Sequence, residues 1–282
     1  MRKYISYVIL LSLIEISAAL YLTFWRELFW NYVEARNFHG FCVQIAVFTG
    51  VALIFCLVNA YAGYFTTLCA IKWRESLNFR ARSIVHEAEN LNQRVQEDCR
   101  DYPDLFLQLV FGLGKALVYV IVFSVSLAIN FNMIYLGIII GYAAISTVIA
   151  QRIAKPLVSL NYATQQAEAT YRNHLNHPER SEVALDLSFS HCITIMTGLA
   201  LKTKRLSYFQ TFYGQLAVVL PIVVVAPAYF GAAMTLGALM QATGTMGTIT
   251  DNLSFGITSF NIINKYKSCK KRLHEIGMFD KV

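Results

Sequence analysis

"NLNQRVQEDCRDYPD", Asn90–Asp104, stands between two long apolar blocks. Ten of its fifteen residues are Asn, Gln, Arg, Glu or Asp. One block runs from about residue 41 to 71 and the other from about 105 to 130, both built largely of Leu, Ile, Val, Phe and Ala. About 20 apolar residues cross a bilayer, so each block is long enough for a span. The polar stretch between them reads as a segment outside the membrane. The fold then follows from how often the chain repeats this alternation.

It repeats it throughout. Of the 282 residues, 56% are hydrophobic and only 15% are charged, where soluble domains carry about 25%. The mean hydropathy is +0.47. Six apolar segments can be drawn, at about 4–25, 41–71, 105–130, 132–151, 208–230 and 234–262. The first follows directly on Arg2 and Lys3 and is longer than the core of a cleaved signal peptide, so it reads as an uncleaved helix. The net charge of +7 would point to nucleic acid only if it clustered on a soluble face, and here it falls in the gaps between apolar runs. Of 24 Lys and Arg residues, 21 lie in one alternating set of gaps and the two termini. Arg26 and Arg36 lie in the opposite set, and Lys115 falls inside the third segment. Basic residues hold loops in the cytoplasm, which places both termini there, together with the long gaps 72–104 and 152–207. Those gaps contain "ARSIVHEAENLNQRVQED" and "VSLNYATQQAEATYRNHL", helix-forming sequences with few breakers and too few apolar residues for a core of their own. The expectation is an all-α membrane protein, one domain over 1–282. It has six transmembrane helices with long cytoplasmic helical extensions, and Pro103 marks the chain's return to the membrane.

Charges inside a span are costly and usually functional. Glu15 is the only charge in the first span, and Asp251 sits beside Asn252 in the sixth. Lys115 is expected to snorkel toward the interface. In the extensions Glu87, Glu89, Glu97, Asp98 and Glu168 form an acidic series, and Arg94 lies four residues before Asp98, on the same helical face. By composition alone this series is a solvated polar face. The six cysteines include no Cys-x-x-Cys pair. His174 and His177 lack a third metal ligand nearby, so neither a metal nor another cofactor is expected. "FGLGKAL", Phe111–Leu117, lacks the first glycine of a phosphate loop and has Ala116 after its lysine. No ATPase is therefore expected within this chain. An ion gradient or a separate ATPase subunit must supply the energy of any transport.

Several stretches, in order, resemble the SbmA/BacA family of bacterial peptide transporters, which share the helix plan of ABC-exporter membrane domains without an ATPase. They are "KWRESLNFR" (Lys72–Arg80), "NQRVQED" (Asn92–Asp98), "EATYRNHL" (Glu168–Leu175), "TLGALMQ" (Thr235–Gln241) and "NKYKSCKKRL" (Asn264–Leu273). His174 stands where the family commonly has Glu. The resemblance implies an ABC-exporter-type fold, not an enzyme, working as a homodimer among the lipids of the bacterial inner membrane. It also implies uptake of peptides or peptide-like compounds driven by a proton gradient. It places the proton-responsive and gating groups at Glu97 and Asp98 with Gln93 and Arg94, and at Glu168 with Tyr171 and Arg172. Glu15 and Asp251 are further candidates from their position in spans. Two other readings stay open: an ABC membrane subunit that uses a separate ATPase to move lipid or fatty-acyl substrates, and a non-transporting remnant or scaffold.

Overall fold

Apolar runs of this length satisfy their backbone groups in lipid only by coiling, because a helix closes every hydrogen bond within its own segment. The computed structural model describes residues 2–84, 94–176, 182–255, 259–275 and 278. It is helical almost throughout: α1 (Arg2–Glu34), α2 (Phe38–Ile84), a π-helical turn (Arg94–Asp98), α3 (Cys99–Asn130), α4 (Met133–Leu175), α5 (Glu182–Phe230), α6 (Leu236–Leu253) and α7 (Phe260–Glu275). Among the described residues five helices, α1 to α5, are long and apolar enough to cross a membrane.

The helices outrun their apolar segments. α2, α4 and α5 have 47, 43 and 49 residues, and at 1.5 Å per residue they reach about 65–75 Å, more than twice the hydrocarbon thickness. The polar sequences beyond the spans are good helix formers, and nothing stops the ladder where the hydropathy falls. "VSLNYATQQAEATYRNHL" lies wholly within α4. Of the corresponding stretch before α3, residues 85–93 lie outside those described.

The sixth segment differs from expectation. Over 234–262 two helices are described, and residues 256–258 between them lie outside those described. α6 ends at Leu253, and α7 begins at Phe260. α6 is also too polar to count with the other five, since it carries Gln241, four threonines, Asp251 and Asn252. It is accommodated because Thr243, Thr245, Thr248 and Thr250 each donate a hydroxyl to a carbonyl of their own helix at 2.9–3.2 Å. Gln241, Ala242, Thr245, Met246, Ile249 and Thr250 are buried where α6 packs on α1 and α3.

Pro103, expected where the chain returns to the membrane, falls inside the third helix. It lies buried as the fifth residue of α3. A proline here has no N–H to give to the preceding turn, and the turn before it is widened to a π turn, a form that accompanies irregular helix ladders.

The chain divides into two compact units. Residues 1–139 and 221–282 form the first, in which α1, α2, α3, α6 and α7 pack on one another. Residues 140–220, from α4 and α5, form the second. Its two helices are joined near one end by Tyr142 stacked on Tyr213, with ring centroids 4.8 Å apart, and by the Tyr142 hydroxyl donating to the Tyr213 carbonyl at 2.8 Å. Nearer the other end Tyr171 packs on Phe189 at 5.1 Å.

Candidate functional site

Glu15 sits mid-way along α1 and is 5% exposed. A lone carboxylate there would be prohibitively desolvated. It is not alone. The Lys115 ammonium on α3 donates to both of its oxygens, at 2.7 and 2.9 Å. Tyr119, one turn further along α3 and on the same face, brings its hydroxyl beside the same carboxylate. The expectation that Lys115 snorkels is therefore corrected: it turns inward to the one acid in the first span. The sequence held the signal, since each segment carries one charge and the signs are opposite.

The second cluster lies where the π turn meets α7. Asp98 is 4% exposed, and the Arg272 guanidinium grips both carboxylate oxygens, with Nε at 2.9 and 3.1 Å and Nη2 at 2.6 Å. This forked geometry is the strongest of the common ion pairs. The Cys269 thiol, one turn before Arg272, reaches the backbone carbonyl of Asp98 at 3.4 Å. Leu77, Ala81, Cys99, Tyr102, Leu273 and Met278 bury the joint. Burial, and then the Asp98 charge, push the Cys269 thiol up to about 12, and the hydrogen bond to Asp98 raises the Arg272 guanidinium further above its ordinary value.

Asp98 has a partner that the sequence reading did not name. Among the described residues its salt bridge goes to Arg272; the side chain of Arg94, the partner expected four residues before it, lies outside those described. Gln93 lies outside the described residues. Glu97 is exposed, next to Asp98, and its charge acts on both Arg100 and Arg272. Glu168 and Arg172 are exposed on the last turns of α4, with Tyr171 half-buried against Phe189. Asp251 is exposed near the end of α6. The first unit therefore brings Asp98 together with Arg272 and Cys269, and Glu15 together with Lys115 and Tyr119.

A third cluster had no forewarning in the sequence. The first N–H groups of α6 have no helical acceptors, and α1 supplies them. Glu34 accepts from Leu236 N–H at 3.1 Å and Asn31 accepts from Gly237 N–H at 3.0 Å. Thr235 caps Ala238 N–H at 3.2 Å. The Tyr229 hydroxyl donates to the other oxygen of Glu34 at 3.5 Å. A Cβ at Gly237 would run into the backbone oxygen of Glu27, so α1 and α6 approach closely at this end.

Comparisons with known proteins show which proteins share this sequence. An ABC transporter ATP-binding protein of Haemophilus influenzae is 24% identical over 270 residues, 83% of this chain and 46% of that protein. The Escherichia coli inner membrane ABC transporter ATP-binding protein YddA is 24% identical over 314 residues, 95% of this chain and 56% of its own. ABC transporter D family member 2, chloroplastic, of Arabidopsis thaliana is 26% identical over 200 residues, 66% and 28%. The chain spans about half the length of the first two. These relatives are ABC-transporter-like membrane proteins, and the resemblance noted in the ordered motifs holds over nearly the whole chain. The profile of the SbmA/BacA-like family matches residues 6–279, and the chain belongs to that family.

Proposed function

We propose that the protein is a carrier rather than an enzyme: a homodimer in the bacterial inner membrane that takes up peptides or peptide-like compounds using the proton gradient. Its termini and helix extensions lie in the cytoplasm in this reading. Family membership and the ABC-transporter-like relatives support transport. The basic gaps support the orientation. One observation carries the coupling: Glu15, a carboxylate buried in the first span and held by Lys115. Ionisable groups at membrane depth mark ion and proton pathways. Glu97 and Glu168, exposed on the extensions, are the acidic groups best placed to exchange protons with water and to draw in a cationic peptide.

The test is uptake of a labelled cationic peptide into proteoliposomes under an imposed pH gradient, without ATP. Uptake that a protonophore abolishes supports the reading. Glu97→Gln and Glu168→Gln are expected to cut it at least fivefold with folding unchanged, and full activity in both would overturn their role.

A second reading is favoured by the relatives' own description as ATP-binding proteins about twice the length of this chain. On it, the protein is the membrane subunit of a transporter that uses a separate ATPase and moves lipid or fatty-acyl substrates. Uptake that requires ATP and a partner, and ignores the protonophore, would select it.

A further inference from the structure

The joint at Asp98 leaves the other face of α7 unexplained. α7 buries Cys269 and Leu273, half-buries Tyr266 and commits Arg272 to Asp98. The remaining face presents Lys265, Lys267, Ser268, Lys270, Lys271 and His274 to solvent. Among the described residues none forms an ion pair with any of the four lysines. Over residues 262–274 of α7 no large apolar side chain is exposed.

The inner face of the same helix fixes the level at which this charge stands. Tyr266 stacks on Tyr102 at 5.5 Å and lies 6.0 Å from Phe106, and Trp73 packs edge-on to both of those rings at 5.7 and 5.1 Å. These rings stand where the apolar run of α2 ends, near residue 71, and that of α3 begins, near 105, which is the edge of the hydrocarbon. All four lysines lie within five residues of Tyr266. At 1.5 Å per residue that is about 8 Å along the axis, comparable to a Debye length in physiological salt.

We propose that this face of α7 binds the anionic headgroups of the adjoining leaflet. The charge pattern selects this partner over a protein. Protein interfaces have an apolar, often aromatic core and are depleted in lysine, whereas this face is lysine without an apolar anchor. A lipid surface needs only charge, and clusters of four or more basic residues just outside a span are what anionic lipids attract. The lysines are compact, mobile charges that suit many phosphates rather than one fixed site. The face is therefore a lipid anchor that holds the Asp98 joint against the membrane. The inference rests on the orientation proposed above only in naming the cytoplasmic leaflet.

The experiment exchanges the purified full chain into mixed micelles with equal phosphatidylcholine and phosphatidylglycerol, and counts retained lipids per chain by native mass spectrometry. The wild type is expected to prefer phosphatidylglycerol, less so as salt rises. Changing all four lysines to Gln should lower the preference about tenfold or more, at the strength typical of a basic cluster near a surface. Changing them to Arg should preserve it, which separates charge from folding. A wild type without preference, or a Gln variant that keeps it, overturns the inference. Labelling Ser268→Cys from either side of sealed vesicles tests the orientation separately. Labelling from the outside, with the lipid preference intact, would reverse the assigned leaflet and leave lipid binding standing.

Discussion

Glu15 and Lys115 are unequal partners, and the difference predicts unequal mutants. The Glu15 side chain is 6% exposed, whereas Lys115 is about one third exposed on a flexible stem. Breaking a buried pair costs about 3–5 kcal/mol when it strands a charge. Lys115→Met strands the carboxylate and is expected to fall in that range. Glu15→Gln leaves an ammonium that can swing toward the surface and should cost about half as much by the same reasoning. Glu15→Leu with Lys115→Met removes both charges and should come within about 1 kcal/mol of the wild type. Thermal unfolding of the three variants in detergent checks this order. At Cys269 the prediction concerns pH. Its thiol stays protonated in the fold up to about 12, against an ordinary value of 9.0. Between those values the unfolded chain binds fewer protons than the native one, so stability falls as pH rises through that window. Cys269→Ala should flatten that part of the curve relative to the wild type. The two differ in how far the sequence foretold them. Glu15 stands out in the sequence because it is the only charge in its span, but Cys269 and Arg272 sit in a basic stretch where nothing distinguishes them until α7 meets the π turn.

At the scale of elements, α6 shows what sequence resolves and what it does not. Its start was legible to within two residues, since the sixth apolar segment was drawn from about 234 and the helix begins at Leu236. Its length and character were not, because threonines read as weakly apolar in a hydropathy window and only become acceptable in a bundle by bonding back to their own helix. α2, α4 and α5 were legible as spans, and their continuation past the apolar segments followed from helix-forming polar sequence. The π turn before Pro103 was not, because its carbonyl partner is a thiol 171 residues away in sequence. The contact of α6 with α1 yields a paired prediction. A methyl at Gly237 meets the backbone oxygen of Glu27, which cannot move aside alone. A methyl at Gly244 meets the tip of Arg26, which can. Gly237→Ala should therefore cost about 1–3 kcal/mol, as overpacking does, and Gly244→Ala under about 1. Alanine raises helix propensity at both sites, so only the steric difference separates them in a denaturation series.

For the whole molecule, the question is whether the family's polar motif works through chemistry or through construction. Asp98 was expected among the proton-responsive groups, yet it is clamped on both oxygens by Arg272 and enclosed by Leu77, Tyr102 and Leu273. A group held this way ties α7 to the turn between α2 and α3, while Glu97 beside it remains exposed. The two roles predict different outcomes when both partners change. If Asp98 is a joint, Asp98→Asn strands the Arg272 guanidinium and loosens α7, and adding Arg272→Met removes the stranded charge and restores much of the loss. If Asp98 must carry a proton, the second change restores stability but not uptake. We expect the joint: Asp98→Asn lowers both thermal stability and gradient-driven uptake, and the double variant recovers both to within about threefold of wild type, the recovery that a cycle of coupled residues shows. Glu97→Gln should behave in the opposite way, leaving stability unchanged and lowering uptake, since an exposed side chain contributes little to the fold. Uptake and unfolding measured on the same four proteins separate the two outcomes. A double variant that is stable but does not transport would return Asp98 to the proton path and leave Arg272 as its regulator.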